Sequence, residues 1–180
     1  MECILVPNRA VMGHWVAQSA AEDLRRALSV KERVKIVVAT GASQFEVLQH
    51  LVASPDIDWS RVDGFHLDEY VGLGVEHPAS FCRYLRERFV SRVPLGSFHY
   101  LSGDADPDAT IEAANAALDD VDIDLALVGI GENGHLAFND PPANLEATRA
   151  YIQVPLDEAC RQQQVNEGWF PTLEAVPTHA

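Results

Sequence analysis

The sequence predicts an α/β fold: a doubly wound, mainly parallel sheet with helices on both faces, Rossmann-like in outline. Short apolar runs rich in β-branched residues alternate along the chain with stretches of helical period. The strand-like runs are apolar at successive positions, as strands covered on both faces are. At 180 residues the chain suits a single domain, residues 1–180, with right-handed crossovers between its parallel strands.

The elements follow in order. Residues 10–29 carry Val11, Trp15, Val16, Ala20, Leu24 and Leu28 on one helical face. Val34–Ala39 is a buried strand, and Thr40-Gly41-Ala42-Ser43 is the turn after it. Phe45, Val47, Leu48, Leu51 and Val52 mark a second helix, with Pro55 just past its end. Val62–Leu67 is a strand that runs into Asp68-Glu69-Tyr70. Ser80 opens a helix over 80–90 whose Phe81, Tyr84, Leu85 and Phe89 belong to the core. Ser97–Leu101 is a further strand. Asp106-Pro107 starts a helix reaching Leu118, with proline at its first position. Ile123–Val128 is the most strand-like run and enters Gly129-Ile130-Gly131-Glu132-Asn133-Gly134-His135. Arg149–Val154 reads as a strand and Asp157–Val165 as a short helix.

The three turns richest in polar or glycine residues, at Thr40, Asp68 and Gly131, each follow a predicted parallel strand. Ligands of open α/β sheets bind beyond the carboxyl ends of the strands. The three turns are therefore expected to meet at one site.

Composition narrows what that site handles. Thirteen Lys and Arg against 27 Asp and Glu give a net charge of −14. From Ser102 onward the only basic residues are Arg149 and Arg161. No basic face is available to displace counterions from nucleic acid. No apolar run approaches the roughly 20 residues of a membrane span, and the start does not read as a secretion signal. Cys3, Cys82 and Cys160 are scattered and in no metal spacing, which suits a reducing compartment such as the cytoplasm.

Thr40, Gly41, Ala42 and Ser43 offer small residues, hydroxyls and free amides, a bed suited to a phosphate, although a plain strand-to-helix turn looks the same. Gly129-x-Gly131-x-x-Gly134 matches the dinucleotide fingerprint in letters only. Asn139-Asp140-Pro141-Pro142 cuts short the helix that fingerprint needs, and the ribose-binding acid is missing. His135 in its glycine loop is a candidate acid–base group, with Asp140 and Asn133 in reach to orient it. Asp68 or Glu69, at the end of an apolar strand, is a candidate base. His66-x-Asp68 lacks further ligands, and Asp104-x-Asp106-x-Asp108 lacks the glycine and glutamate of a calcium loop, so no metal is expected.

Phe65-His66-Leu67-Asp68-Glu69-Tyr70-Val71-Gly72-Leu73, Glu76-His77-Pro78-Ala79-Ser80-Phe81 and Gly129–Pro141 resemble glucosamine-6-phosphate deaminases, in order and along essentially the whole chain. The related 6-phosphogluconolactonases share the fold but usually read differently at these motifs. The resemblance implies conversion of an aminosugar 6-phosphate to fructose 6-phosphate and ammonia without metal or organic cofactor. It implies that His135 opens the sugar ring, that Asp140 orients it, that Asn133 fills a position held by aspartate or asparagine in the family, and that Asp68 moves a proton from C2 to C1. Thr40–Ser43, Glu69, Gly131 and Gly134 are implied substrate contacts. The family's usual arginine falls near Gln164, with Arg161 one turn earlier as its expected substitute. Residues of about 150–177 correspond to a lid, and the chain is expected to stop short of further family strands and a phosphate-binding lysine. Lactone hydrolysis, with His135 activating water, and a sugar-phosphate-binding homologue without turnover are the alternatives. Whether the chain forms a homo-oligomer is left open.

Overall fold

The computed structural model describes residues 2–119 and 122–180. Helix α1 (Arg9–Leu28) precedes strand β1 (Val34–Val38), helix α2 (Phe45–Leu51) and strand β2 (Val62–His66). Helix α3 (Phe81–Arg88), strand β3 (Ser97–His99), helix α4 (Pro107–Leu118), strand β4 (Leu125–Leu127) and helix α5 (Glu158–Asn166) follow. The caps are those the sequence announces. Ser80 accepts from the Arg83 amide, Asp106 from the Asp108 amide with Pro107 behind it, and Asp157 from the Cys160 amide. Each such cap is worth about 1 kcal/mol.

The four strands are parallel, in the order β3-β2-β1-β4. The chain steps outward from β1 to β2 to β3, and α4 then carries it back to β4 on the far side of β1. The direction of winding therefore reverses between β1 and β4, which opens a crevice at their carboxyl ends. Helices α1, α2 and α3 bury Leu24, Leu48, Leu85 and Phe89 against Ile36, Val38 and Val62 on one face of the sheet. On the other face, Phe65 and His99 look toward the alanines of α4 across a cavity.

A second core lies beyond the strand ends. Tyr70, Phe81, Phe138, Leu156, Cys160, Phe170 and Val176 bury one another there. This cluster fastens α5 and the last residues over the crevice. The segment expected to be a lid is thus docked on aromatic side chains in this structure.

Two expectations are corrected. Arg149–Val154 is not a strand: Val154 exchanges backbone hydrogen bonds of 2.9 and 3.0 Å with Ala180, and Leu156 donates to Thr178. The apolar run pairs with the chain's own last residues instead of the sheet. The buried stripe of α1 is also rotated from the one read in sequence. Gly13, Ala17, Ala20, Ala21, Leu24 and Leu28 face inward, because small residues let α1 lie close on α2. Val11 and Trp15 are left 42% and 44% exposed.

No described helix is long and apolar enough to cross a membrane.

Candidate active site

The turn after β1 is built around Gly41, whose φ of 96° lies in the left-handed region where a side chain would be strained. Gln44 donates to the Gly41 carbonyl at 3.1 Å and Tyr84 Oη at 3.0 Å, which fixes the turn from both sides. Among the described residues, no acceptor takes the amides of Gly41, Ala42 and Ser43. They stand free at the mouth of the crevice.

Asp68 follows β2 directly. Its carboxyl borders this cleft and a second, more apolar cavity lined by Leu101, Ile111 and Tyr151. The residue keeps some surface toward the cleft, but dense protein surrounds the carboxyl. That burial, reinforced by the neighbouring Glu69 charge, pushes its pKa up to about 7.

The loop after β4 positions the imidazole. His135 Nδ1 lies 2.7 Å from Asn133 Oδ1 and 3.1 Å from Asp140 Oδ1. Both partners are acceptors, so Nδ1 carries the hydrogen and Nε2 keeps a lone pair. Asn133 Nδ2 donates to Asp140 Oδ1 at 2.8 Å, and the Asp157 amide donates to Asp140 Oδ2 at 2.8 Å. The orienting carboxylate is itself held. Gly131 lies flat against the ring: a Cβ there would meet His135 Cε1 at 2.3 Å and Nδ1 at 2.5 Å. The loop also holds Ala137 and Phe138 at φ 51° and 58°, a left-handed pair of the kind kept where structure over-determines it.

One cleft of about 160 Å³, open to solvent on one side, is lined by Thr40, Gly41, Ala42, Ser43, Asp68, Gly131 and His135. Asn133 and Asp140 stand behind His135. Gly134 makes the loop's bend at φ 88° and does not line the cleft.

Besides Gly134, two expected substrate contacts are corrected. Glu69 Oε1 accepts from the amides of Tyr70 and Phe81, and Oε2 from Ser80 Oγ and the Cys82 amide. Its carboxylate caps the start of α3 and is fully occupied there. Arg161 donates to the carbonyls of Leu173 at 2.6 Å and Val176 at 3.2 Å. It fastens the final turn of the chain and does not reach the cleft. Gln164 borders the cleft instead and accepts from Tyr70 Oη at 2.8 Å.

The pattern described as glucosamine-6-phosphate isomerases/6-phosphogluconolactonase matches residues 7–164. The chain belongs to this family. A glucosamine-6-phosphate deaminase of Exiguobacterium is 38% identical over 94% of this chain and 68% of its own length. One from Streptococcus pneumoniae serotype 4 is 33% identical over 100% of this chain and 73% of its own. A solved monomeric glucosamine-6-phosphate deaminase superposes with a TM-score of 0.86 at 24% identity, covering 99% of this chain and 74% of that one. A 6-phosphogluconolactonase of Shewanella baltica superposes with a TM-score of 0.64 at 23% identity, over 73% of this chain and 57% of that one. These two likenesses show the shared fold.

Sequence reasoning missed Asp157 and Arg9. Asp157 caps α5 and bonds Asn133 Nδ2 at 3.3 Å, which ties the histidine loop to that helix. The cap itself was legible, but its second role depends on tertiary contact. Arg9 bonds the Ala42 carbonyl and, through Nε, Glu46 at 2.8 Å, bracing the free-amide turn from α1. Nothing local in the sequence links residues 9 and 42.

Proposed function

We propose that this chain is a glucosamine-6-phosphate deaminase, converting glucosamine 6-phosphate and water to fructose 6-phosphate and ammonia. One observation carries the reading: a carboxyl with a pKa near 7, an imidazole with a fixed tautomer and a bed of free amides share one cleft.

The free amides of Gly41, Ala42 and Ser43 receive the phosphate. His135 Nε2 takes the proton of the anomeric hydroxyl and returns one to the ring oxygen, which opens the sugar. Asp140 and Asn133 hold the ring of His135 in place and stabilise its transient positive charge. Asp68 then removes the C2 proton, giving an enolamine, and delivers it to C1. The resulting imine at C2 adds water and expels ammonia. A carboxyl titrating near 7 can both take and return a proton at neutral pH, and such a step is worth about 10²–10⁴-fold. No step draws on a metal or organic cofactor. The docked segment of residues 150–177 borders the open cleft through Gln163, Gln164 and Glu167 and acts as its lid.

Ammonia and fructose 6-phosphate, assayed together with glucosamine 6-phosphate as substrate, test the reading. Both products in equal amounts are expected. Turnover of 6-phosphogluconolactone with no ammonia from the aminosugar would select hydrolysis instead. Thermal stabilisation by the sugar phosphate with no product would select the binding homologue.

A further inference from the structure

Behind His135 three different metal-binding side chains converge. His135 Nδ1, a carboxylate oxygen of Asp140 and Cys160 Sγ all lie within 4.8 Å of one another. Cys160 is fully buried, and its thiol lies against the Asp140 carboxylate. We propose that His135, Asp140 and Cys160 form a site for one thiophilic divalent cation of the zinc class, whose binding disarms the imidazole.

The donor set fits such an ion. Nitrogen, carboxylate oxygen and sulfur are the ligands of zinc, and bonds of about 2.0–2.3 Å set tetrahedral ligand–ligand edges of about 3.3–3.7 Å. His135 Nδ1 and Asp140 Oδ1 already stand 3.1 Å apart, and the separations to the sulfur, at most 4.8 Å, close to such an edge with a contraction of no more than about 1.5 Å. Thiolate and carboxylate together balance the two charges of the cation. Asp140 Oδ2 accepts only the Asp157 amide among the described residues, so it retains a free lone pair. Asp157, 3.3 Å from Asn133, stands next to the cluster as a hydrogen-bonding support.

A second cluster, His66, Glu69 and Cys82, sharpens the argument by contrast. There both carboxylate oxygens are filled by four donors from the start of α3. A cation at that place would strip a helix cap, so it is not a site.

The chemistry of binding follows from the tautomer. The cation takes the Nδ1 lone pair, the imidazole hydrogen moves from Nδ1 to Nε2, and the thiol proton goes to solvent. Nε2 then has no lone pair for the sugar. Metal occupancy and turnover exclude each other.

Cadmium titration tests the site without reference to turnover. In a Cys3→Ser background, which removes the exposed thiol, ultraviolet thiolate-to-cadmium absorbance is expected to rise to one equivalent per chain. Cys160→Ser in that background is expected to abolish the band, Cys82→Ser to retain it, and His135→Gln to weaken uptake at least tenfold. No saturable band, a band surviving Cys160→Ser, or one lost with Cys82 would overturn the proposal. Inhibition of ammonia release by zinc, reversed by chelator, is the second arm. It rests on the deaminase reading, whereas cadmium uptake does not. Activity that persists at full occupancy would overturn the disarming.

Discussion

Gly131→Ala isolates the contact that seats the imidazole. The new Cβ would lie 2.3, 2.5 and 2.6 Å from His135 Cε1, Nδ1 and Nε2. Ordinary contacts between such atoms begin at about 3.5 Å, so the ring must retreat by about 1 Å. The 2.7 Å contact to Asn133 and the 3.1 Å contact to Asp140 do not survive that retreat unchanged. A misplacement of this size costs about 100-fold in rate, and crowding of a packed site costs about 1–3 kcal/mol of stability. The backbone at Gly131 is outside the left-handed region, so alanine adds sterics alone. Gly129→Ala is the control, because its Cβ would meet Ser43 Oγ at an ordinary 3.5 Å. Steady-state ammonia release is expected to show kcat about 100-fold lower for Gly131→Ala and near wild type for Gly129→Ala. A Gly131→Ala enzyme with kcat within about threefold of wild type would refute the argument that the ring's seat matters.

Asp140→Asn keeps the shape but removes the negative charge behind the ring, and kcat is expected to fall about 10²–10⁴-fold with KM little changed. With Asp68 as the proposed base, kcat/KM of the wild-type chain is expected to rise with pH through a transition near 7, and a flat profile from about pH 5 to 9 would contradict that role. The same shift has a stability consequence, since a carboxyl whose folded pKa lies above its unfolded value stabilises the protein most at low pH. That contribution fades as pH rises from about 4 to about 7. Asp68→Asn is therefore expected to raise Tm relative to wild type at pH 8 more than at pH 4, as calorimetry would record. Arg161→Ala frees the Leu173 and Val176 carbonyls, so urea melts should show a loss of about 1–3 kcal/mol. KM for the sugar phosphate should stay within about twofold once the variant is folded.

The sheet and its helices were legible because local signals agreed with the final packing. β-Branched runs became β1 and β2, and Asp106-Pro107 opened α4 where expected. The meeting of Asp68 with His135 was legible from topology, since both follow parallel strands. The roles of Glu69 and Arg161 were not. Each is a charged residue beside a motif, and only tertiary contact decides whether it meets ligand or fills backbone donors and acceptors. Glu69 meets the α3 amides and Arg161 the last carbonyls. Arg149–Val154 has strand-like letters, but Ala180 offers it a nearer partner than the sheet does.

Hydrogen exchange at the sugar carbon next to the amine reads the base directly. With glucosamine 6-phosphate in deuterium oxide, the wild-type chain should incorporate deuterium at C2 of recovered substrate or C1 of product, and folded Asp68→Asn should incorporate none. Incorporation that persists in Asp68→Asn would take the proton transfer away from this cleft's carboxyl and contradict the account.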